Sequence, residues 1–167
     1  MKEIIVKDAA LQKAAGEGMD AFINVFTEAI YDSIGELTTE TLALLNSDQV
    51  TLLAYQILRD EVMDGGFVQL IHNGYGAFFF QNPFAKAMKL WGLRDLSRLV
   101  YSVKDLYWKS HETIEKDCTD EEFMALFEQF PEFDNYDDEF VENEEQWTEM
   151  VAQYVDDHIE RFATILE

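Results

Sequence analysis

The sequence predicts an all-α fold, a single-domain irregular helical bundle of about six to eight helices over residues 1–167. Apolar residues recur at spacings of three and four, whereas alternating stretches rich in Val, Ile and Thr are nearly absent. Only two prolines occur, and no flexible linker divides the chain. The length and the hydrophobic fraction of 48% are sufficient for one substantial core.

Four helical segments are predicted in the first half of the chain. Their expected bounds are about Met19 to Ile34, Thr38 or Thr39 to Asn46, Ser47 to Asp64, and Phe67 to Asn73. Gly35 suits the end of the first segment, because glycine readily adopts the conformation that closes a helix. Ser47 is the expected N-cap of the third. The paired glycines at 65 and 66 stop that helix, and Gly74 and Gly76 interrupt the chain after the fourth.

Four further helices are predicted in the second half. Their expected positions are Pro83 to Trp91, around Leu96 to Tyr107, from Thr119 to the residues before Pro131, and about Glu142 to Leu166. Asn82-Pro83 is typical of a helix start, with a capping side chain followed by proline in the first turn. Thr119 and Glu122 have the spacing of a capping box.

Negative charge is concentrated in the acidic C-terminal part, residues 112–167. There, carboxylates outnumber basic side chains by 20 to 2. This part therefore accounts for most of the net charge of −22 that the whole chain carries. Aromatic residues recur throughout the same part, which distinguishes it from disordered acidic tails. A folded surface of this sign favours a basic protein partner. It argues against direct binding to nucleic acid or to an anionic membrane.

The remaining composition gives no sign of export or membrane insertion. No apolar run approaches the ~18 residues of a transmembrane helix. The N-terminal apolar patch, Ile4 to Val6, is followed at once by Lys7 and Asp8, unlike a secretory signal. Cys118 is the single cysteine, so a disulfide framework is excluded. These observations favour the cytoplasm.

The densest local pattern lies between residues 64 and 76. It comprises Asp64, Gly65, Gly66, Phe67, Gln69, Asn73 and Gly76. Paired glycines permit unusual backbone angles and close approach of a neighbouring segment. Gln69 and Asn73 share a helix face, where their amides could bond buried polar groups. The motif is either a structural helix corner or a small-molecule pocket, and its glycine spacing is not that of a phosphate-binding loop.

This pattern carries a resemblance to a known family. The run from Glu61 to Asn73, E-V-M-D-G-G-F-x-Q-x-x-x-N, resembles the E-V-x-N-G-G-F-x-Q-x-x-x-N hallmark of a bacterial DNA-mimic-protein-like family of acidic all-helical domains of unknown function. Asp64 replaces the usual asparagine. The segment from Phe84 to Gly92 is similar to a second family pattern, and the match covers about residues 40–163. The resemblance implies a helical fold and raises the possibility of DNA mimicry.

Helical spacing of the acidic residues agrees with mimicry. Carboxylates three or four residues apart lie ~5–6 Å apart on a helix, and phosphates along a DNA strand are separated by about 7 Å. The predicted partner-binding acidic surface comprises Asp120, Glu121, Asp134, Tyr136, Asp137, Asp138, Glu139, Glu142, Glu145 and Glu149. Tyr136 and Trp147 are the candidate aromatic anchors of the interface. A solvated face that serves only solubility is the simpler interpretation of the same charges.

Metal sites fit the sequence poorly. A calcium loop counted from Asp134 places Glu139 where glycine is required and Tyr136 where a ligand is required. His111-Glu112-x-x-Glu115 has glutamate in the position of the second histidine of a zinc-protease helix. We therefore expect no metal, no cofactor and no catalytic residue.

The sequence thus predicts a non-enzymatic protein-binding module, and the resemblance together with the spacing of the acids favours a DNA mimic that blocks a basic DNA-binding protein. Three alternatives remain open at this stage. They are an immunity-type inhibitor of a basic nuclease toxin, a small metal-dependent hydrolase, and an uncharacterised domain that is acidic only for solubility.

Overall fold

The computed structural model describes residues 1–167 and confirms the all-α prediction. The helices are α1 (Asp8–Glu17), α2 (Met19–Ile34), α3 (Thr39–Leu42), α4 (Ser47–His72), α5 (Gly76–Phe80), α6 (Phe84–Leu90), α7 (Arg94–Ile114), α8 (Asp120–Gln129) and α9 (Asp134–Asp157). Short 3-10 turns cover Pro131–Phe133 and Ile159–Arg161. The strands are β1 (Ile5–Lys7) and β2 (Thr164–Leu166). None of the helices has the length and apolar character needed to cross a membrane.

The chain divides into two compact units, with boundaries inside α4 and α9. The first unit consists of Met1–Leu53 and Gln146–Glu167, and the second is continuous from Ala54 to Glu145. The assignment of residues 1–167 to a single domain stays a prediction.

The first unit joins the two ends of the chain. β1 and β2 form a parallel two-stranded sheet in which Val6 is opposite Ile165. The α2 helix buries one apolar face, and the edge of its Phe26 ring packs against Phe162 at a centroid distance of 6.3 Å. The buried Gln49 side chain donates a 3.0 Å hydrogen bond to the carbonyl of Phe162. These contacts connect the N-terminal helices to the C-terminal segment.

The second unit is organised around α7. One face of α7 is buried, and its Tyr107 ring stacks on Phe80 of α5 at 4.9 Å. The buried Ser97 hydroxyl donates a 2.6 Å hydrogen bond to the carbonyl of Ala85 in α6. Gly76 begins α5 against the Tyr107 ring, and a Cβ on this glycine would overlap a carbon of that ring. The close approach of Tyr107 explains why a residue without a side chain occupies position 76. The prediction that Gly76 interrupts the helical structure is wrong, because Gly76 is the first residue of α5.

Several predicted boundaries are wrong. The last helix begins at Asp134, not near Glu142, and ends at Asp157, after which β2 occupies residues assigned to that helix. The N-cap of α4 is Asn46, not Ser47, because Asn46 and Gln49 exchange hydrogen bonds of 2.8 and 3.0 Å between side chain and backbone. The α1 helix and the β1 strand lie where the sequence predicts no regular structure.

Candidate functional site

The glycine motif forms a corner inside α4. Gly65 and Gly66 leave the helical conformation, and Gly66 has φ +71°, in the left-handed region that favours glycine. A Cβ on Gly66 would lie 2.7 Å from the Cγ of Asp137, so this glycine also makes room for α9. The motif therefore has a structural task, which is to bend α4 where α9 approaches.

Amide side chains close the corner on its α4 side. Gln69 donates hydrogen bonds of 2.9 Å to Glu61 and 3.0 Å to Asp64. Asn73 donates a 2.9 Å bond to the same Glu61 oxygen. The glutamine and asparagine of the motif are thus paired with carboxylates of the preceding helical segment, and they hold the two halves of α4 at the bend.

Asp137 reaches into this corner from α9. Its Oδ1 accepts a 2.8 Å hydrogen bond from the Phe67 amide, which begins the helical segment after the bend. Burial raises the pKa of Asp137 to about 6, although the hydrogen bond from Phe67 acts in the opposite direction. The negative charges of Asp134 and Asp138 raise the pKa further. The sequence analysis predicts Asp137 on the partner-binding surface, but the structure turns its carboxylate toward α4.

A second inward carboxylate lies two turns later on α9. Glu144 contacts Arg59 of α4 with an Oε1–Nε distance of 2.5 Å. Both side chains are largely buried, with 14% and 27% of their surfaces exposed. Asp137 and Glu144 therefore attach α9 to α4 at two points. Because both carboxylates face α4, they are less accessible to a partner than the exposed acids of α9.

The other acids of α9 face solvent. This helix has ten carboxylates and no Lys, Arg or His in its 24 residues. Asp134, Asp138, Glu142 and Glu145 are exposed, and their spacings of four, four and three residues place them along one side. We name these four residues the α9 stripe. At 1.5 Å of rise per residue, neighbouring members are separated by about 4.5–6 Å along the helix axis. Glu149 is also exposed and follows one turn later on the same helix.

The remaining predicted surface residues have varied environments. Asp120 and Glu121 are exposed in the first turn of α8, where the helix dipole favours negative charge. Glu139 is exposed on α9, and Tyr136 is half-buried. Trp147 is only 2% exposed, so the expectation that it anchors an interface is wrong. Trp147 is seven residues after Phe140 and four before Val151, so all three buried side chains lie on the inner face of α9.

Val141 is an apolar surface residue that the sequence interpretation missed. It is 51% exposed and lies one turn from both Asp138 and Glu145. The helical phase could have revealed it, since Val141 lies off the face that carries the buried Phe140 and Trp147 and one turn from exposed acids. Val141 gives the α9 stripe an apolar neighbour that a partner could cover.

The candidate metal-binding segments adopt ordinary helical structure. The proposed calcium loop from Asp134 to Glu145 lies within α9. His111 contacts Glu115 at 3.1 Å in the last turn of α7, and its ring stacks on Tyr107. No group of three or more His, Cys, Asp or Glu side chains is placed to hold a metal ion.

Comparisons with known proteins identify a matching family and a related protein. Residues 43–158 match the family model described as DMP19-like protein, a range that includes both the glycine corner and the α9 stripe. The DNA mimic protein DMP19 of Neisseria meningitidis serogroup B is 33% identical over 146 residues. That alignment covers 87% of this chain and 88% of the relative.

Proposed function

Because the chain belongs to the DMP19-like protein family, we propose that it is a DNA mimic that binds a basic DNA-binding protein and excludes DNA from it. The name of the meningococcal relative supports mimicry as the general activity. The α9 stripe is the observation that supports a particular face for this chain. Its residues are Asp134, Asp138, Glu142 and Glu145, with Glu149 one turn beyond.

The α9 stripe offers a partner the charge pattern of a DNA strand. A DNA-binding protein gains much of its affinity by placing Lys and Arg near regularly spaced phosphates. Exposed carboxylates at intervals of about 4.5–6 Å present similar charges to the same basic side chains. No cation of α9 neutralises them, because this helix has no basic residue. The basic face that holds DNA would therefore also accept α9.

The inner contacts of α9 make the stripe a fixed array. The carboxylates of Asp137 and Glu144 face α4, and the buried Phe140 lies between them along the helix. A side chain held on a packed helix loses less freedom on binding than one on a mobile loop. Rigid presentation of the outer carboxylates would thus favour a partner whose cations are arranged for DNA.

Apolar burial would add the affinity that charge alone does not supply. Interfaces usually depend on a small buried centre, whereas pairs of exposed charges contribute mainly to association rate and specificity. Val141 and the half-buried Tyr136 are available for this purpose on α9. On this proposal the chain acts by occupying a surface, and it carries out no chemical reaction.

A capture experiment tests the proposal. The immobilised chain is exposed to a lysate of its source organism at low salt, and bound proteins are eluted with a salt gradient. We expect recovery of a basic DNA-binding protein that added duplex DNA displaces. Its affinity should fall at least about tenfold between low and moderate salt. A salt-insensitive partner contradicts the proposal, and a basic nuclease supports an immunity-type inhibitor instead.

A pair of matched variants locates the binding face. In the first variant, Asp134, Asp138, Glu142 and Glu145 are replaced by their amides. In the second, four exposed acids outside α9 are replaced by glutamine, namely Glu36, Glu112, Glu128 and Glu167. Both variants lose the same number of negative charges. They differ only in that the first variant removes the carboxylates of the α9 stripe and the second leaves them in place. We expect the first to lose the partner and the second to retain it. Equal losses would assign binding to overall charge.

A further inference from the structure

A groove with a volume of about 360 Å³ lies in the first unit between β1 and α2. Ile5, Val6 and Lys7 of β1 line one side, and α2 lines the other with residues between Val25 and Ser33. This groove contains none of the acids of α8 or α9, so its properties are independent of the function proposed above.

The groove follows a strand edge that has no partner strand. In a parallel pair, successive residues direct their backbone groups to opposite edges. The Ile4 carbonyl accepts a 2.8 Å hydrogen bond from the Thr164 amide, which places the groups of Ile4 and Val6 on the side of β2. The N–H and C=O groups of Ile5 consequently point to the other edge, and β1 has no second neighbour in the sheet.

The walls of the groove combine apolar surface with negative charge. Val25 and Ala29 are half-buried and one helical turn apart on α2. Glu28 and Asp32 have the same spacing on the adjoining line of that helix, and both are exposed. The apolar pair can receive one side chain of an extended peptide, and the carboxylates can receive a cationic neighbour.

The charges around β1 favour a cationic ligand. Glu3 is a third carboxylate at the groove, where it accepts a 3.0 Å hydrogen bond from the Thr164 hydroxyl. Lys7 is the one basic residue of the lining. Lys2 is nearby, because its ammonium donates a hydrogen bond to the carbonyl of Ser33 at the groove wall. With three carboxylates and Lys7, the lining has a net negative charge.

We propose that this groove binds an extended, basic peptide segment of a partner protein, which adds as a strand to the free edge of β1 through Ile5. Backbone hydrogen bonds to Ile5 would supply part of the affinity, as in other cases of strand addition. An apolar side chain of the peptide would contact Val25 and Ala29, and a Lys or Arg would pair with Glu28 and Asp32. A flexible Lys- and Arg-rich arm, common in basic proteins, has this chemistry.

The test uses a labelled synthetic peptide, Thr-Lys-Val-Arg-Ile-Lys-Thr with blocked ends, and the full chain. A second peptide, Thr-Lys-Pro-Arg-Pro-Lys-Thr, keeps every charge but cannot pair as a strand. Binding is followed by fluorescence anisotropy at about 0.15 M salt, where exposed charges are strongly screened. Amide chemical shifts locate the site. We expect saturable binding of the first peptide, at least about fivefold tighter than the second, with the largest shifts at Ile5, Val25 and Ala29.

Three variants separate this groove from general attraction to an acidic protein. Ala29→Phe fills the apolar side of the groove and should abolish the difference between the two peptides. Glu28→Gln with Asp32→Asn should weaken the first peptide about fivefold or more. The control, Glu112→Gln with Glu128→Gln, loses the same charge at exposed positions outside the groove lining and should leave affinity within about twofold. Equal binding of both peptides, or shifts confined to α9, overturns the proposal.

Discussion

Asp137 differs from the exposed carboxylates of α9 because its carboxyl group lies inside the fold, against α4. The Oδ1 atom accepts the Phe67 amide proton, and the rest of the carboxyl group packs against Gly66. Its raised pKa of about 6 means that the ionised form is less favourable here than in the unfolded chain. A residue selected as part of an acidic surface is thus part of the helix corner.

Replacing Gly66 by alanine should destabilise the protein more than the same change at Gly74. Both glycines have positive φ, +71° and +88°, which strains any other residue. A Cβ on Gly66 would also overlap Asp137, whereas a Cβ on Gly74 would meet open space. We expect Gly66→Ala to lower the free energy of unfolding by about 2–4 kcal/mol and Gly74→Ala by about 1 kcal/mol. Urea denaturation measures both, and equal losses would show that α9 does not restrict Gly66.

Asp137→Asn should change how stability depends on pH. The folded pKa of about 6 lies above the ordinary value of 3.8, so the folded state holds the proton more tightly. The stabilisation contributed by Asp137 is therefore complete below about pH 4 and is lost as pH rises through 6. Relative to the natural chain, the variant should gain about 1–2 kcal/mol from pH 4 to pH 7, a figure reduced for partial solvent exposure. Denaturation at several pH values tests this, and a constant difference contradicts it.

At the scale of the helix, the position of each acid around the axis of α9 determines whether it faces α4 or solvent. Asp137, Phe140, Glu144, Trp147 and Val151 recur at alternating spacings of three and four, which is the pattern of one helix face. This pattern is present in the sequence and indicates that two of the acids face inward. The sequence prediction begins the final helix at about Glu142, which separates Asp137 from the aromatic residues that define its phase.

Neighbouring glutamates of α9 should respond differently to alanine. Glu144→Ala removes a carboxylate that contacts the largely buried Arg59, whereas Glu145→Ala removes an exposed one. We expect the first change to lower the free energy of unfolding by about 1–3 kcal/mol and the second to alter it by less than about 0.5 kcal/mol. Thermal denaturation of the two variants provides the comparison. Similar midpoints would show that the contact of Glu144 with Arg59 contributes little.

Helix prediction succeeded where local signals agree and failed where they are short. The bounds of α2, Met19–Ile34, follow from a clear apolar face and from Gly35 at its end, and the structure reproduces them. β1 and β2 contain three residues each, too few for an alternating pattern to emerge. Their pairing also depends on residues 5 and 164 meeting, which local sequence does not specify.

At the scale of the whole molecule, a net charge of −22 opposes compaction. Added salt should therefore stabilise the protein by screening repulsion among its carboxylates. We expect the midpoint of thermal unfolding to rise by several degrees between about 0.02 and 0.3 M NaCl. The variant with amides at the α9 stripe should show a smaller rise. A midpoint that falls with salt would indicate that attractive ion pairs dominate instead.

The fold was more accessible from sequence than the face that a partner would contact. Apolar periodicity predicts the helical class, and the glycine motif predicts the corner at Gly65 and Gly66. Exposure of individual carboxylates depends on packing against α4, which brings Asp137 to Phe67 across 70 positions of sequence. Charge counts alone do not separate Asp137 and Glu144 from the α9 stripe.

The pairing of β1 with β2 has a consequence for the order of events during translation. Residues of β1 are made before the whole of the second unit, whereas β2 and the other C-terminal residues of the first unit are made more than 90 positions after Leu53. The second unit is continuous, and all of its residues precede Gln146. All residues of the second unit are therefore synthesised before the first unit can be completed. At that stage the ring contact of Phe26 with Phe162 and the hydrogen bond from the Thr164 amide to the Ile4 carbonyl cannot yet form.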